Sequence, residues 1–152
     1  MKPELMKRQD LNRHYMRLET WQRGVDLFEL VFKEADFTLR SQITDAAQSV
    51  AANIAEGYCR RTLPEYLQFL YTAKGSLGEC LTRALGLLRV GLLTLQQFEK
   101  IDVLHYEVEN KLLGLIRSLE AKRADHSWDD SLPPAHHPPS TIHHPPSLTS
   151  PP

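Results

Sequence analysis

Glu56 and Asn53 form the polar pair in this sequence that most suggests chemistry, since they lie three residues apart on roughly the same face of a predicted helix. A hydrolytic or acid–base site needs a carboxylate that converges with a base or a nucleophile in a pocket. The surrounding sequence offers no such partner. We therefore interpret Asn53 and Glu56 as a structural pair that satisfies buried backbone groups or binds Arg60 or Arg83. We predict no catalytic residue and no enzymatic activity.

Histidines and cysteines do not follow a metal-binding pattern. His14 and His105 lie on different predicted elements, and Cys59 and Cys80 fit neither a disulfide framework nor a zinc site. Both cysteines fall inside helical patterns, so we expect them to pack in the interior of a reduced, cytoplasmic protein. The glycine-rich motifs that cradle nucleotide phosphates are missing. The sequence therefore predicts no metal, no cofactor and no small-molecule substrate.

Basic residues give a stronger functional signal. Residues 1–123 contain 18 basic and 16 acidic residues, a net charge of +2, which is less than a dedicated nucleic-acid binder carries. If an oligomer repeats a basic cluster around an axis, however, the phosphate contacts add together. A solvated charged surface is the alternative interpretation. The candidate nucleic-acid-binding residues are Lys7, Arg8, Arg13, Arg17, Arg23, Arg60 and Arg61.

Apolar residues at spacings of three and four predict helices and no strand. The second helix, residues 39–58, is rich in alanine, so we expect it to lie at the centre of the bundle with close neighbours. Thr38 is its predicted N-cap, and Gly57 is expected to end it or to adopt positive φ. The first helix is predicted over residues 15–35, with an apolar stripe formed by Trp21, Val25, Phe28 and Phe32.

Capping signals mark the starts of the third and fourth helices. Thr62 with Glu65, and Thr94 with Gln97, follow the spacing of a capping box. Short connections make successive helices antiparallel, so the sequence predicts an all-α, up-down-up-down four-helix bundle. Midway along the third helix, a patch of small residues consists of Gly75, Ser76 and Gly78. We expect the second helix to pack against this patch.

Composition divides the chain into three predicted regions. A basic extension covers residues 1–14, the bundle covers 15–123, and a Pro/His-rich tail covers 124–152. Proline blocks helix formation, and the tail offers little to form a core, so we predict that it is disordered. The N-terminus lacks the apolar segment of a signal peptide, and no apolar stretch is long enough to cross a membrane. We therefore expect no membrane partner.

The stretch of residues 49–79 closely resembles a known family, the four-helix proteins associated with intervening sequences in bacterial large-subunit ribosomal RNA genes. The resemblance covers residues 18–120. It implies an antiparallel bundle that assembles as a homopentamer, with a suspected link to RNA and no established enzymatic activity. The residues that carry it are Asn53-Ile54-Ala55-Glu56-Gly57, Arg60, Glu65-Tyr66 and Ala73-x-Gly75-Ser76-Leu77-x-Glu79.

Three functions are compatible with this resemblance. The first is a non-enzymatic, homopentameric module that binds structured RNA or a nucleoprotein partner through basic helix ends. A related branch resembles the accessory variability protein of diversity-generating retroelements, which implies an adaptor for a reverse transcriptase together with RNA or DNA. The third is a structural protein–protein scaffold that binds no nucleic acid.

Overall fold

The computed structural model describes residues 11–34 and 40–128, and within them the chain forms helices and no strand. A 3₁₀-helix over Leu11–Arg17 precedes four α-helices. Each α-helix packs against its neighbours in the sequence, and the first also packs against the fourth. The predicted all-α four-helix bundle is therefore confirmed. The helices are α1 (Glu19–Glu34), α2 (Arg40–Tyr58), α3 (Leu63–Arg89) and α4 (Leu95–Ala124).

Apolar side chains from all four α-helices meet in one core. Small residues on α2 let α1 come close, because a Cβ added at Gly24 would lie only 3.3 Å from the Cβ of Ala51. This agrees with the close approach that the alanine-rich sequence of α2 predicts. The largest fully buried side chains are Leu27, Ile43, Ile54, Leu70, Leu77, Ile101 and Leu112.

The buried face of α1 differs from the predicted stripe. Phe32 is 46% exposed, and the other three members of the stripe are only partly buried. The contact with α2 requires small residues on α1, and this rotates the helix so that its largest apolar groups lie at the edge of the interface. The face that is buried consists of Thr20, Gly24, Leu27 and Val31.

The predicted roles of the glycines in α3 are wrong. Gly75 and Gly78 are exposed, and a Cβ at either would meet no other atom within 4 Å. Only Ser76 of the predicted patch turns toward α2, where its Oγ lies 2.9 Å from the Oγ of Ser49. The two glycines share a face of α3 that is turned away from Ser76, and both therefore lie outside the α2 interface.

Gly57 is also used differently from the prediction. It lies within the helical span of α2, and the positive-φ glycine of the described residues is Gly91. A Cβ at Gly57 would lie 2.8 Å from the Cβ of Phe69 and 3.1 Å from the carbonyl oxygen of Tyr66. The absence of a side chain here therefore allows close contact between α2 and α3.

The predicted caps of α3 and α4 are confirmed. Thr62 Oγ1 accepts a hydrogen bond from the backbone N–H of Glu65 at 3.4 Å. Thr94 forms a complete capping box, in which its Oγ1 accepts from the N–H of Gln97 at 3.2 Å and its own N–H donates to Gln97 Oε1 at 2.8 Å. The predicted cap Thr38 lies outside the described residues.

Two further features differ from expectation. Cys80 is buried as predicted, but Cys59 is exposed, because it follows the last residue of α2 and faces away from the neighbouring helices. Residues 125–128 follow α4, and Trp128 packs against the core although the sequence assigns it to the tail. Residues 1–10 and 129–152 lie outside the described part. No described helix is sufficiently long and apolar to span a membrane.

Candidate nucleic-acid interface

Aromatic rings join the elements that meet at one end of the bundle. Tyr15 of the 3₁₀-helix contacts Trp21 with ring centroids 5.5 Å apart, and Tyr58 at 6.4 Å. Tyr58 contacts Tyr66 at 5.9 Å, and Tyr66 contacts Trp128 at 6.3 Å. These contacts fix α2 where it ends, α3 where it begins, and the segment that follows α4. We call this end of the molecule the basic end, because Arg17, Arg60, Arg61, Lys122 and Arg123 lie there.

Three of the predicted nucleic-acid-binding residues lie at the basic end. Arg17 and Arg61 are exposed, and neither has a carboxylate partner among the ion pairs of the described residues. Arg60 pairs with Glu56, as the sequence predicts, and its guanidinium lies 4.5 Å from the ring centroid of Phe69. Arg17 and Arg61 are therefore free to contact phosphate, whereas Arg60 is held by its neighbours.

The last turn of α4 brings further positive charge that the sequence analysis missed. Lys122, Arg123 and His126 are exposed and lie beside the start of α3. The ammonium of Lys122 lies 6.0 Å from the ring centroid of Trp128. Helical periodicity does not reveal which helix ends meet in space, so these residues stood out only as charges before a tail. The tryptophan that follows them was the available signal that the chain folds back here.

The remaining predicted residues have other surroundings. Arg23 forms ion pairs with Asp26 at 3.2 Å and with Glu107 at 3.0 Å, and so links α1 to α4. Arg13 belongs to the 3₁₀-helix, and Lys7 and Arg8 lie outside the described residues. The structure therefore brings Arg17, Arg60 and Arg61 together with the end of α4, and it places Arg23 in a separate ion-pair network.

Carboxylates near the basic end accept hydrogen bonds from close neighbours. The Thr62 hydroxyl donates to Glu65 at 2.6 Å and lowers the pKa of that carboxyl. Ser127 hydrogen-bonds to Asp125 and lowers its pKa as well. These groups are therefore ionised at neutral pH, and their negative charges offset part of the positive charge at the basic end.

Polar residues elsewhere in the bundle have structural partners. Asn53 Nδ2 donates to the carbonyl oxygen of Ser49 at 2.7 Å and to its hydroxyl at 2.9 Å. His105 is buried, and its Nε2 lies 2.8 Å from the carbonyl oxygen of Leu77. Within residues 11–34 and 40–128, no group of three His, Cys, Asp or Glu side chains could hold a metal ion. Asn53 and His105 are therefore held by hydrogen bonds within the bundle.

Residues 16–114 match the model of the 23S rRNA-intervening sequence protein family. The chain belongs to this family. The match spans more than half of the sequence and confirms the resemblance that the sequence shows over residues 18–120. It ends before Lys122, so the cations at the end of α4 and Trp128 lie beyond the part that defines the family.

A solved structure supports the fold of this family member. It is the crystal structure of a protein of unknown function from the S23 ribosomal protein family of Bacteroides thetaiotaomicron, 22% identical, with a TM-score of 0.53. The alignment covers 70% of this chain and 98% of that chain. No curated protein matches the sequence. These comparisons establish the fold and the family.

Proposed function

We propose that this chain is a non-enzymatic module that assembles into a homo-oligomer of five copies and binds structured RNA through its basic end. The observation that carries the proposal is the convergence of unpaired cations from three separate elements at that end. Arg17 comes from the 3₁₀-helix, Arg61 follows α2, and the remaining cations belong to the end of α4. Cations contributed by three separate elements suit the several phosphates of a folded RNA better than a single small anion.

Phosphate contacts explain why assembly matters. Each cation that neutralises a phosphate releases counterions, so affinity rises with the number of contacts. One copy offers a handful of unpaired cations, and the net charge of the chain is −1. A ring of copies presents the same cations several times to one RNA, and this multiplies weak contacts into useful affinity.

An exposed apolar surface on α3 and α4 supports assembly. On α4, Val103 is 62% exposed and Tyr106 is 66% exposed; on α3, Tyr71 and Leu85 are also exposed. Gly78 lies between Tyr71 and Leu85 on the same face of α3, and a Cβ there would meet no other atom within 4 Å. We call these five residues the apolar face. Large exposed apolar patches mark interaction sites, and a second copy would bury this one. The number of copies rests on the family resemblance.

RNA binding at the basic end is tested by filter-binding titration with a structured RNA and with single-stranded DNA at low salt. The double variant Arg17→Gln/Arg61→Gln should weaken RNA binding and make it less dependent on salt, because phosphate contacts are lost. Arg89→Gln/Arg117→Gln removes the same charge from exposed positions elsewhere on α3 and α4 and should change affinity less. If the unmodified chain retains neither nucleic acid, the proposed function is wrong.

A further inference from the structure

A small cavity opens where the beginning of α3 meets the end of α4. Its volume is about 200 Å³, below the roughly 300–1,000 Å³ of typical small-molecule pockets. It therefore suits one chemical group of a larger ligand. The lining residues are Leu63, Pro64, Lys122, Arg123, His126 and Trp128.

The charge of this lining selects an anion. Lys122 and Arg123 carry full positive charges, and His126 adds an imidazole donor. No carboxylate belongs to the lining. The nearby Asp125 accepts a hydrogen bond from the backbone N–H of Ser127 at 3.0 Å. A guanidinium and an ammonium side by side are the groups that proteins use to bind phosphate oxygens.

Two helix ends and an indole ring border the site. Leu63 and Pro64 form the first turn of α3, and the N-terminus of this 27-residue helix carries partial positive charge. At the end of α4, the carbonyl oxygens of Ala121 and Lys122 accept backbone N–H groups from the following residues, which reduces their repulsion of an anion. Trp128 also lines the cavity, and its Nε1–H is buried without an acceptor among the described residues.

We propose that this cavity is a phosphate-binding pocket that takes a phosphate group of the bound RNA. The inference rests on the proposed function and assigns one contact of that function to defined residues. A terminal phosphate suits a small pocket at a helix junction, because a chain end enters it without bending and carries more negative charge than an internal phosphodiester. An internal phosphate is the other source of the same chemistry.

Paired variants of the full chain distinguish a specific phosphate contact in the pocket from nonspecific attraction between the protein's positive charge and RNA. Lys122→Gln/Arg123→Gln removes two charges from the pocket, and Arg89→Gln/Arg117→Gln removes two from elsewhere on the same two helices. Each is titrated with one RNA hairpin bearing either a 5′-phosphate or a 5′-hydroxyl. We expect the pocket variant to bind the phosphorylated hairpin roughly ten- to a hundredfold more weakly than the control variant does, the loss typical of charged hydrogen bonds. Circular dichroism checks that both variants are folded.

A third variant tests the contribution of His126. This residue has a φ of 56°, a conformation that asparagine tolerates well. His126→Asn therefore removes the imidazole while keeping the backbone, and it should weaken binding of the phosphorylated hairpin without changing the unfolding midpoint. Unchanged binding by this variant would remove His126 from the site.

Inorganic phosphate provides a readout that does not depend on RNA. In a Trp21→Phe background the remaining tryptophan is Trp128, so phosphate binding should change its fluorescence, and Lys122→Gln/Arg123→Gln should abolish the change. A phosphate response without RNA binding would support the pocket and refute the proposed function. A different result is RNA binding that depends on Arg17 and Arg61 and yet is equal in the pocket variant and its control. This result would refute the pocket but would still support the proposed function. Equal weakening of both hairpins would assign the pocket to an internal phosphate.

Discussion

Gly57 controls how closely α2 and α3 approach. The two nearest atoms to an added Cβ are the Cβ of Phe69 at 2.8 Å and Cδ2 of Tyr66 at 2.9 Å. A Phe Cβ is attached directly to the backbone and cannot rotate away. We expect Gly57→Ala to lower the free energy of unfolding by about 1–3 kcal/mol, the typical cost of overpacking.

Gly75→Ala is the matched control. Gly75 lies exposed in α3 with open space around it, so the alanine should raise the free energy of unfolding by up to about 1 kcal/mol through helix propensity. Urea unfolding monitored by circular dichroism measures both variants. Equal effects of the two substitutions would show that α2 and α3 do not touch at Gly57.

The two cysteines should differ in reactivity. Cys80 is buried, and this burial raises the pKa of its thiol to about 12, so almost none is present as thiolate at neutral pH. Cys59 is exposed. A thiol reagent at neutral pH should therefore modify one cysteine quickly and the second only after denaturation. Cys59→Ser should abolish the fast phase, and a fast phase that survives this substitution would contradict the packing of Cys80.

At the scale of the helices, capping residues predicted where helices begin. The face that each helix buries was harder to predict. The caps at Thr62 and Thr94 were predictable because a cap depends on residues three positions apart in the sequence. The buried face of α1 was harder to predict, because small residues at Gly24 and Thr20 gain from close approach to α2 only once that partner is known. For the same reason, Gly75 and Gly78 were expected to face a helix that they do not touch.

The capping box of α4 gives a testable prediction for one element. Thr94→Ala removes the acceptor for the Gln97 N–H and should lower the free energy of unfolding by about 1 kcal/mol. Thr82 is an exposed threonine in the middle of α3, whose Oγ1 donates to the carbonyl oxygen of Gly78 at 2.7 Å. Thr82→Ala should be neutral or stabilising, since alanine has the higher helix propensity. Thermal unfolding compares the two, and an equal loss in both would contradict a role for the cap.

At the scale of the whole molecule, the basic end was only partly predictable. Arg60 and Arg61 could be placed at a turn because the neighbouring caps define that turn. Lys122 and Arg123 are about sixty residues away in the sequence, and they join the same surface only through the antiparallel return of α4. Trp128 fixes this return by packing on Tyr66. A charge cluster assembled from distant helix ends has no local sequence signature.

The apolar face predicts how assembly and RNA binding are coupled. Tyr106 is 66% exposed on α4, so replacing it should not disturb the core. Tyr106→Glu places a charge where a second copy would have to bury it, at a high desolvation cost. We expect light scattering to show a smaller particle with unchanged helix content. RNA affinity should then fall although every residue of the basic end is intact, because fewer copies of that end contact one RNA.

Gln48→Glu supplies the control for this experiment, because Gln48 is an exposed residue of α2 and the substitution adds the same charge away from the apolar face. It should leave the molar mass unchanged and should affect RNA binding less than Tyr106→Glu does. A chain that is already monomeric before substitution would refute assembly through this face. If Tyr106→Glu dissociates the oligomer but RNA binds with undiminished affinity, one copy of the basic end is sufficient, and the repetition of weak contacts does not determine affinity.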